Sequence, residues 1–169
     1  VRTDTTSVAA PIRAPLDSAL LSDSVRVLER LLKRAQKWIP TQIPNHRRRV
    51  SHRTTALRTP NVSKEDRESL YSDLIDDTKL YVEAALFAAT YLEGIDNPKA
   101  YLLSFDLRAY AERALCVVDQ TERRVFDEEK LSPSQKLVSI FEPHTDILCK
   151  RDSVVYGHKV CLSFGKTGL

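Results

Sequence analysis

Methionine is absent from the 169 residues, and glycine is scarce at 4. So little glycine suits a largely helical chain and argues against a glycine-rich nucleotide-binding loop. No stretch approaches the roughly 18 consecutive apolar residues of a membrane span. Residues 1–15 lack the basic-then-apolar pattern of a secretory leader. The three cysteines, Cys116, Cys149 and Cys161, form no CxxC pair and are odd in number. That argues against a disulfide framework or a zinc knuckle and predicts inert, reduced thiols in a cytoplasmic chain.

What is present describes an ordinary folded chain of one or two domains, with 42% hydrophobic and 29% charged residues. The net charge of +3 hides an asymmetry. Residues 1–60 hold 12 Lys and Arg against 4 Asp and Glu, and residues 61–169 hold 14 against 19. A basic end of this kind points to an anionic partner. The chain starts at Val1 and stops at Gly168-Leu169 directly after a strand-like run, as expected of an excerpt.

Residues 1–10 read as a strand with Arg2, Asp4, Thr6 and Val8 on one face and Thr3, Thr5 and Ser7 on the other. Asp17 or Ser18 is placed to cap a helix running to about Trp38, with an apolar stripe from Leu20 to Ala35. Residues 45–60 read as a basic loop carrying Arg47, Arg48, Arg49, His52, Arg53 and Arg58. Ser63 and Asp66 open a second helix, ending near Gly94. Asn97-Pro98 opens a third, to about Glu129, with Leu102, Phe105, Ala109, Cys116, Val117 and Val125 as expected buried positions. Residues 136–141 and 147–150 are short apolar runs. Residues 154–164 alternate as a strand, with Lys159 on the polar face. Left as a terminal edge, that strand would expose a hydrophobic border.

Two sets of words carry a resemblance. One is Lys136-Leu137-Val138-Ser139-Ile140-Phe141-Glu142-Pro143-His144-Thr145-Asp146-Ile147, followed by Tyr156-Gly157-His158-Lys159-Val160-Cys161-Leu162. The other is Val1-Arg2-Thr3-Asp4-Thr5-Thr6, then Asp17-Ser18-Ala19-Leu20-Leu21, then Val25-Arg26-Val27-Leu28. Together they resemble bacterial insertion-sequence transposases of the DDE type. The resemblance implies an α/β (α+β) fold: an incomplete RNase H-like sheet with a long insertion of about three helices. Residues 1–15 would form its first strand, 16–130 the insertion and 131–169 its continuing strands.

The resemblance makes Asp4 the first catalytic carboxylate and a ligand of Mg2+ or Mn2+. It places the second Asp just beyond Leu169 and the Glu further downstream. The complete enzyme would cleave DNA at element ends and join it to target DNA in the bacterial cytoplasm, at the nucleoid, with a homo-oligomer left open. This chain alone would be inactive and at most bind DNA. Two hard cations activate the attacking oxygen and steady the leaving one in such chemistry, and one Asp cannot build their cage. The plain alternative for Asp4 is an exposed polar residue on a half-buried strand.

The DNA-binding residues expected from charge are Arg47, Arg48, Arg49, His52, Arg53 and Arg58, with Lys159 as a second locus. Their alternative is a set of solvated surface charges. Glu142, His144 and Asp146 read as a turn around Pro143, and His158 as a satisfied core histidine. A non-enzymatic helical module that binds a partner or nucleic acid is the competing reading of the whole chain.

Overall fold

The computed structural model describes residues 2–12, 15–40, 42–150 and 153–164. In chain order these form β1 (Arg2–Ala9), α1 (Asp17–Ala35), α2 (Arg47–Ala56), α3 (Lys64–Glu93), α4 (Pro98–Val125), β2 (Asp146–Lys150) and β3 (Ser153–Phe164). A single 3-10 turn at Pro133–Gln135 follows α4. The fold is mixed α+β: four helices and a three-stranded antiparallel sheet. The sheet order is β1-β3-β2, and these three strands alone do not define an RNase H topology.

The central element is α1. Leu21, Val25, Leu28, Leu32 and Ala35 are completely buried on it, and Val27 and Leu31 nearly so. Apolar residues thus cover far more than one stripe, as fits a helix packed by α2, α3 and α4 together. Asp17 does not cap α1: Leu16 holds the N-cap position without a side-chain bond. The Asp17 carboxylate instead reaches α4, accepting from Arg124 Nη1 at 2.7 and 2.8 Å and from Gln120 Nε2 at 3.3 Å. Burial pushes this carboxyl above its usual range, and the Arg124 charge opposes the shift only in part.

The caps on the long helices follow their sequence signals. Ser63 accepts from the Asp66 amide at 3.0 Å, and Asn97 from the Lys99 amide at 2.9 Å, with Pro98 in the first turn. The phase of α4 follows the expectation at Val117 but not at Leu102, Phe105 and Cys116, which are exposed, nor at Ala109 and Val125, which are half-buried. Its buried row is Leu103, Leu107, Ala111, Ala114 and Val117, while Leu102 and Phe105 are more than half exposed. Apolar residues lie on two faces of this helix, and the face with the small Ala111 and Ala114 is the one that lets α1 and α3 come close.

Residues 136–141 form no strand. The Leu137 amide donates to Gln120 Oε1 at 2.9 Å, and its carbonyl accepts from Gln120 Nε2 at 3.3 Å. Arg113 Nη1 donates to the Ile140 carbonyl at 3.1 Å. Side chains of α4 therefore take the backbone bonds that a neighbouring strand would have made, and Val138 and Ile140 are buried beneath them. The turn expected at Pro143 is present, with the Thr145 amide donating to the Glu142 carbonyl at 3.1 Å.

In the sheet, β3 is the middle strand, paired antiparallel with β1 on one side and β2 on the other. It is therefore not the exposed edge that its place in the sequence suggested; β1 crosses back to cover it. Gly157 is where that close approach is tightest, since a Cβ there would meet Ala9 Cα at 2.9 Å and press into the Val8 carbonyl.

Candidate nucleic-acid interface

Residues 45–60 are not a loop. Residues 47–56 form α2, whose buried side is only Val50 and Thr54. Such a helix has little core of its own, and charge anchors it. Asp77 of α3 is 4% exposed and accepts from His46 Nδ1 at 2.6 Å and from Arg53 Nη1, with Arg49 Nη2 at 3.4 Å. Arg53 Nη2 also lies 2.7 Å from Asp73. The buried carboxylate is thus met by donors on several sides rather than left unpaired. The Tyr81 hydroxyl adds a neutral clamp: it donates to the Pro44 carbonyl and accepts from the His46 amide at 3.2 Å.

The arginine cluster is thereby divided. Arg53 is spent on Asp73 and Asp77, Arg49 leans on Asp77, and Arg47 Nε lies 3.6 Å from Glu29. Arg48, His52 and Arg58 are exposed and meet no carboxylate among the described residues. Arg48 and His52 stand one helical turn apart on the outer face of α2.

Sequence reasoning missed a second basic surface. The outer strip of α1 consists of Arg26, Arg30, Lys33 and Arg34, with Lys37 in the turn just past its end, all exposed. The spacing of Arg26, Arg30, Lys33 and Lys37 at i, i+4, i+7 and i+11 is a signal that the apolar stripe of the same helix overshadowed. Between this strip and the start of α2 lies a groove of about 440 Å3, walled by Arg26, Arg30, Lys33, Arg47, Glu29 and Phe141. It holds four cations and one carboxylate. A larger cleft, about 650 Å3 beside Asp17 and Arg124, is different. There Lys64 pairs with Glu128 at 2.6 Å and Arg124 with Asp17, so much of its charge is already matched.

Asp4 and Lys159 do not come together. Asp4 sits opposite Leu162 on the sheet face that carries Thr6, Val160 and His158. Lys159 sits opposite Ser7 on the other face, with Thr3, Thr5 and Cys161, and Thr3 Oγ1 lies 3.3 Å from Ser163 Oγ there. Both residues are exposed. The Asp4 carboxylate accepts from the Thr5 amide at 2.8 Å. Among the described residues no three His, Cys, Asp or Glu side chains gather in a metal-binding group. Asp4 with Leu162 and Thr6 around it therefore does not fit a two-metal cage by itself. His158 is half-buried and lies outside the hydrophobic core cluster of the described residues. All three cysteines are free and exposed. No described helix is long and apolar enough to cross a membrane.

No family model matches this chain, and neither a curated protein nor a solved structure does.

Proposed function

We propose that this chain is the nucleic-acid-binding, helix-rich part of a DNA-processing protein resembling DDE transposases. The observation that carries the reading is the divided cluster: one side of α2 is locked to α3 through Asp77, while Arg48 and His52 on its outer face and Arg58 just past its end have no ion-pair partner among the described residues. Exposed arginines on and just beyond an anchored helix suit binding to phosphates, which supply affinity without reading sequence. The two strand-forming ends support an RNase H-like parent, in which Asp4 would serve as one carboxylate for Mg2+ or Mn2+. The further ligands would have to come from outside the described residues, so no catalytic step is assigned to this chain.

The test is duplex DNA binding by the whole chain over a series of salt concentrations. Replacing Arg48 and Arg58 together by Ala should weaken binding and lower the salt slope by about 2, one for each phosphate deprived of its cation. Unchanged affinity and slope would remove the reading. Binding without cleavage is expected in Mg2+, and cleavage abolished by Asp4→Ala would overturn that expectation.

One observation favours a protein-binding module instead. Phe87 and Tyr91 on α3 form an exposed ring pair with centroids 4.9 Å apart, and Tyr101 and Phe105 on α4 form another at 4.9 Å. Exposed aromatic pairs of this kind are common in protein interfaces. If that module is the whole function, removing Phe87 and Phe105 abolishes a partner complex while the arginine variants leave it intact.

A further inference from the structure

The groove between α1 and α2 combines features that a phosphate-binding surface alone does not need. Arg30 has no hydrogen-bond or ion-pair partner among the described residues, though it stands beside three other cations. Glu29, 8% exposed, holds two of those cations in place: Lys33 Nζ donates to Oε1 at 2.5 Å, and Arg47 Nε lies 3.6 Å from Oε2. Oε2 has no hydrogen-bond partner, so the Arg47 guanidinium is steered by charge and keeps its donors free. The fourth cation, Arg26, is set by Asp23 at 2.9 Å and lies over the Phe141 ring, 5.9 Å from its centroid. Phe141 is 44% exposed, with its ring at the wall of the groove.

A flat ring at the wall of a cationic groove matches a flat base attached to a phosphate. The volume, about 440 Å3, falls within the roughly 300–1,000 Å3 of small-ligand sites. We propose that this groove holds one unpaired nucleotide of a single strand, with its phosphate on Arg30, Lys33 and Arg47 and its base against Phe141. The inference rests on the nucleic-acid reading above and deepens it. A strand is favoured over a free nucleotide because the basic line of α1 continues past the groove through Arg34 and Lys37, at the next turn. It is favoured over a duplex because paired bases are stacked on each other and offer no face to the ring.

The experiment measures binding of the whole chain to a labelled single strand, the same strand with abasic sites, the duplex, a nucleoside monophosphate and an acidic peptide. Phe141→Ala should weaken the single strand about tenfold, the effect of losing one base stack. It should leave the abasic strand and the duplex unchanged, and Phe141→Trp should retain binding. Arg30→Ala should weaken the normal and the abasic strand alike. Phe141 and Arg30 are both exposed, and an unchanged helical circular dichroism signal verifies that each variant folds. Equal loss on normal and abasic strands in Phe141→Ala would overturn the stacking assignment. A monophosphate that binds as tightly as the strand would replace the strand by a free nucleotide. An acidic peptide that competes equally would reduce the groove to a charge reader and overturn the proposal. If the groove variants do nothing while Arg48 and Arg58 still matter, this inference fails and the α2 reading stands. If neither set matters, both fail.

Discussion

The helices and the sheet of this molecule are held by different means. In the bundle, Leu21, Leu28 and Leu32 of α1, Leu74 and Leu92 of α3, and Leu107 of α4 are wholly shielded from solvent. In the strands the only buried position among the described residues is Gly157, which has no side chain to bury. Val8, Val154 and Leu162 remain substantially exposed. The sheet leans on the bundle at one end, where Ile147, Val154 and Tyr156 line a small cleft with Pro15, Leu20 and Leu137. Its far end, with Asp4 and Leu162, stands clear of the core. Hydrophobic burial therefore stabilises the helices, and backbone pairing is the main support of the strands.

The contrast also concerns distance along the chain. β1 pairs with residues roughly 150 positions later, as with Thr3 opposite Ser163, whereas α3 and α4 are joined by a short turn at Gly94–Asn97. Closing the long loop costs entropy that only the finished bundle repays, so the bundle is expected to form first and the sheet last.

Substitutions can break this comparison. The largest effect is expected from Leu28→Ala, which removes a fully buried side chain between three helices and should cost about 4 kcal/mol in denaturant unfolding. Asp77→Ala comes next, because it removes the buried partner of Arg53, in a site only 17% exposed, together with the acceptor for His46, leaving Arg53 with Asp73 alone; a loss of about 3 kcal/mol is expected, together with fraying of α2. If Asp77→Ala leaves stability unchanged, the charge anchor is not what holds that helix. Gly157→Ala should act locally. Amides of β1 should lose protection from hydrogen exchange while those of α1, α3 and α4 keep theirs, at a global cost of about 1 kcal/mol. Joint loss of helical protection would show that the two regions fold as one unit. Leu162→Ala is expected to be smallest, below about 0.5 kcal/mol, as for exposed positions in general. A core-sized penalty there would mean that the exposed face of the sheet is covered in solution.

Local signals were legible where they depend on neighbours in sequence. The Ser63 and Asn97 caps, the two faces of residues 1–10 and the alternation of 154–164 all follow from side-chain chemistry a few residues apart. Signals that depend on a distant partner were not. Residues 47–56 show no amphipathic stripe, so nothing local marked them as a helix; Asp77, far along the chain on α3, supplies the reason. Residues 136–141 look like a strand because they are apolar, yet Gln120 and Arg113 claim their backbone. The apolar Leu102 and Phe105 gave α4 a second face that packing left unused. In the candidate site, Arg48, Arg49, Arg53 and Arg58 were visible as charges, but nothing in their order distinguishes the ones that Asp73 and Asp77 neutralise.

The sequence by itself determined the charge asymmetry, the helical caps and the strand faces, because each is set by residue identity and short-range geometry. Tertiary structure alone decided which arginines remain available, since neutralisation requires a carboxylate brought close by packing. It also assembled the α1–α2 groove, which exists only because α1, the start of α2 and Phe141 meet in space.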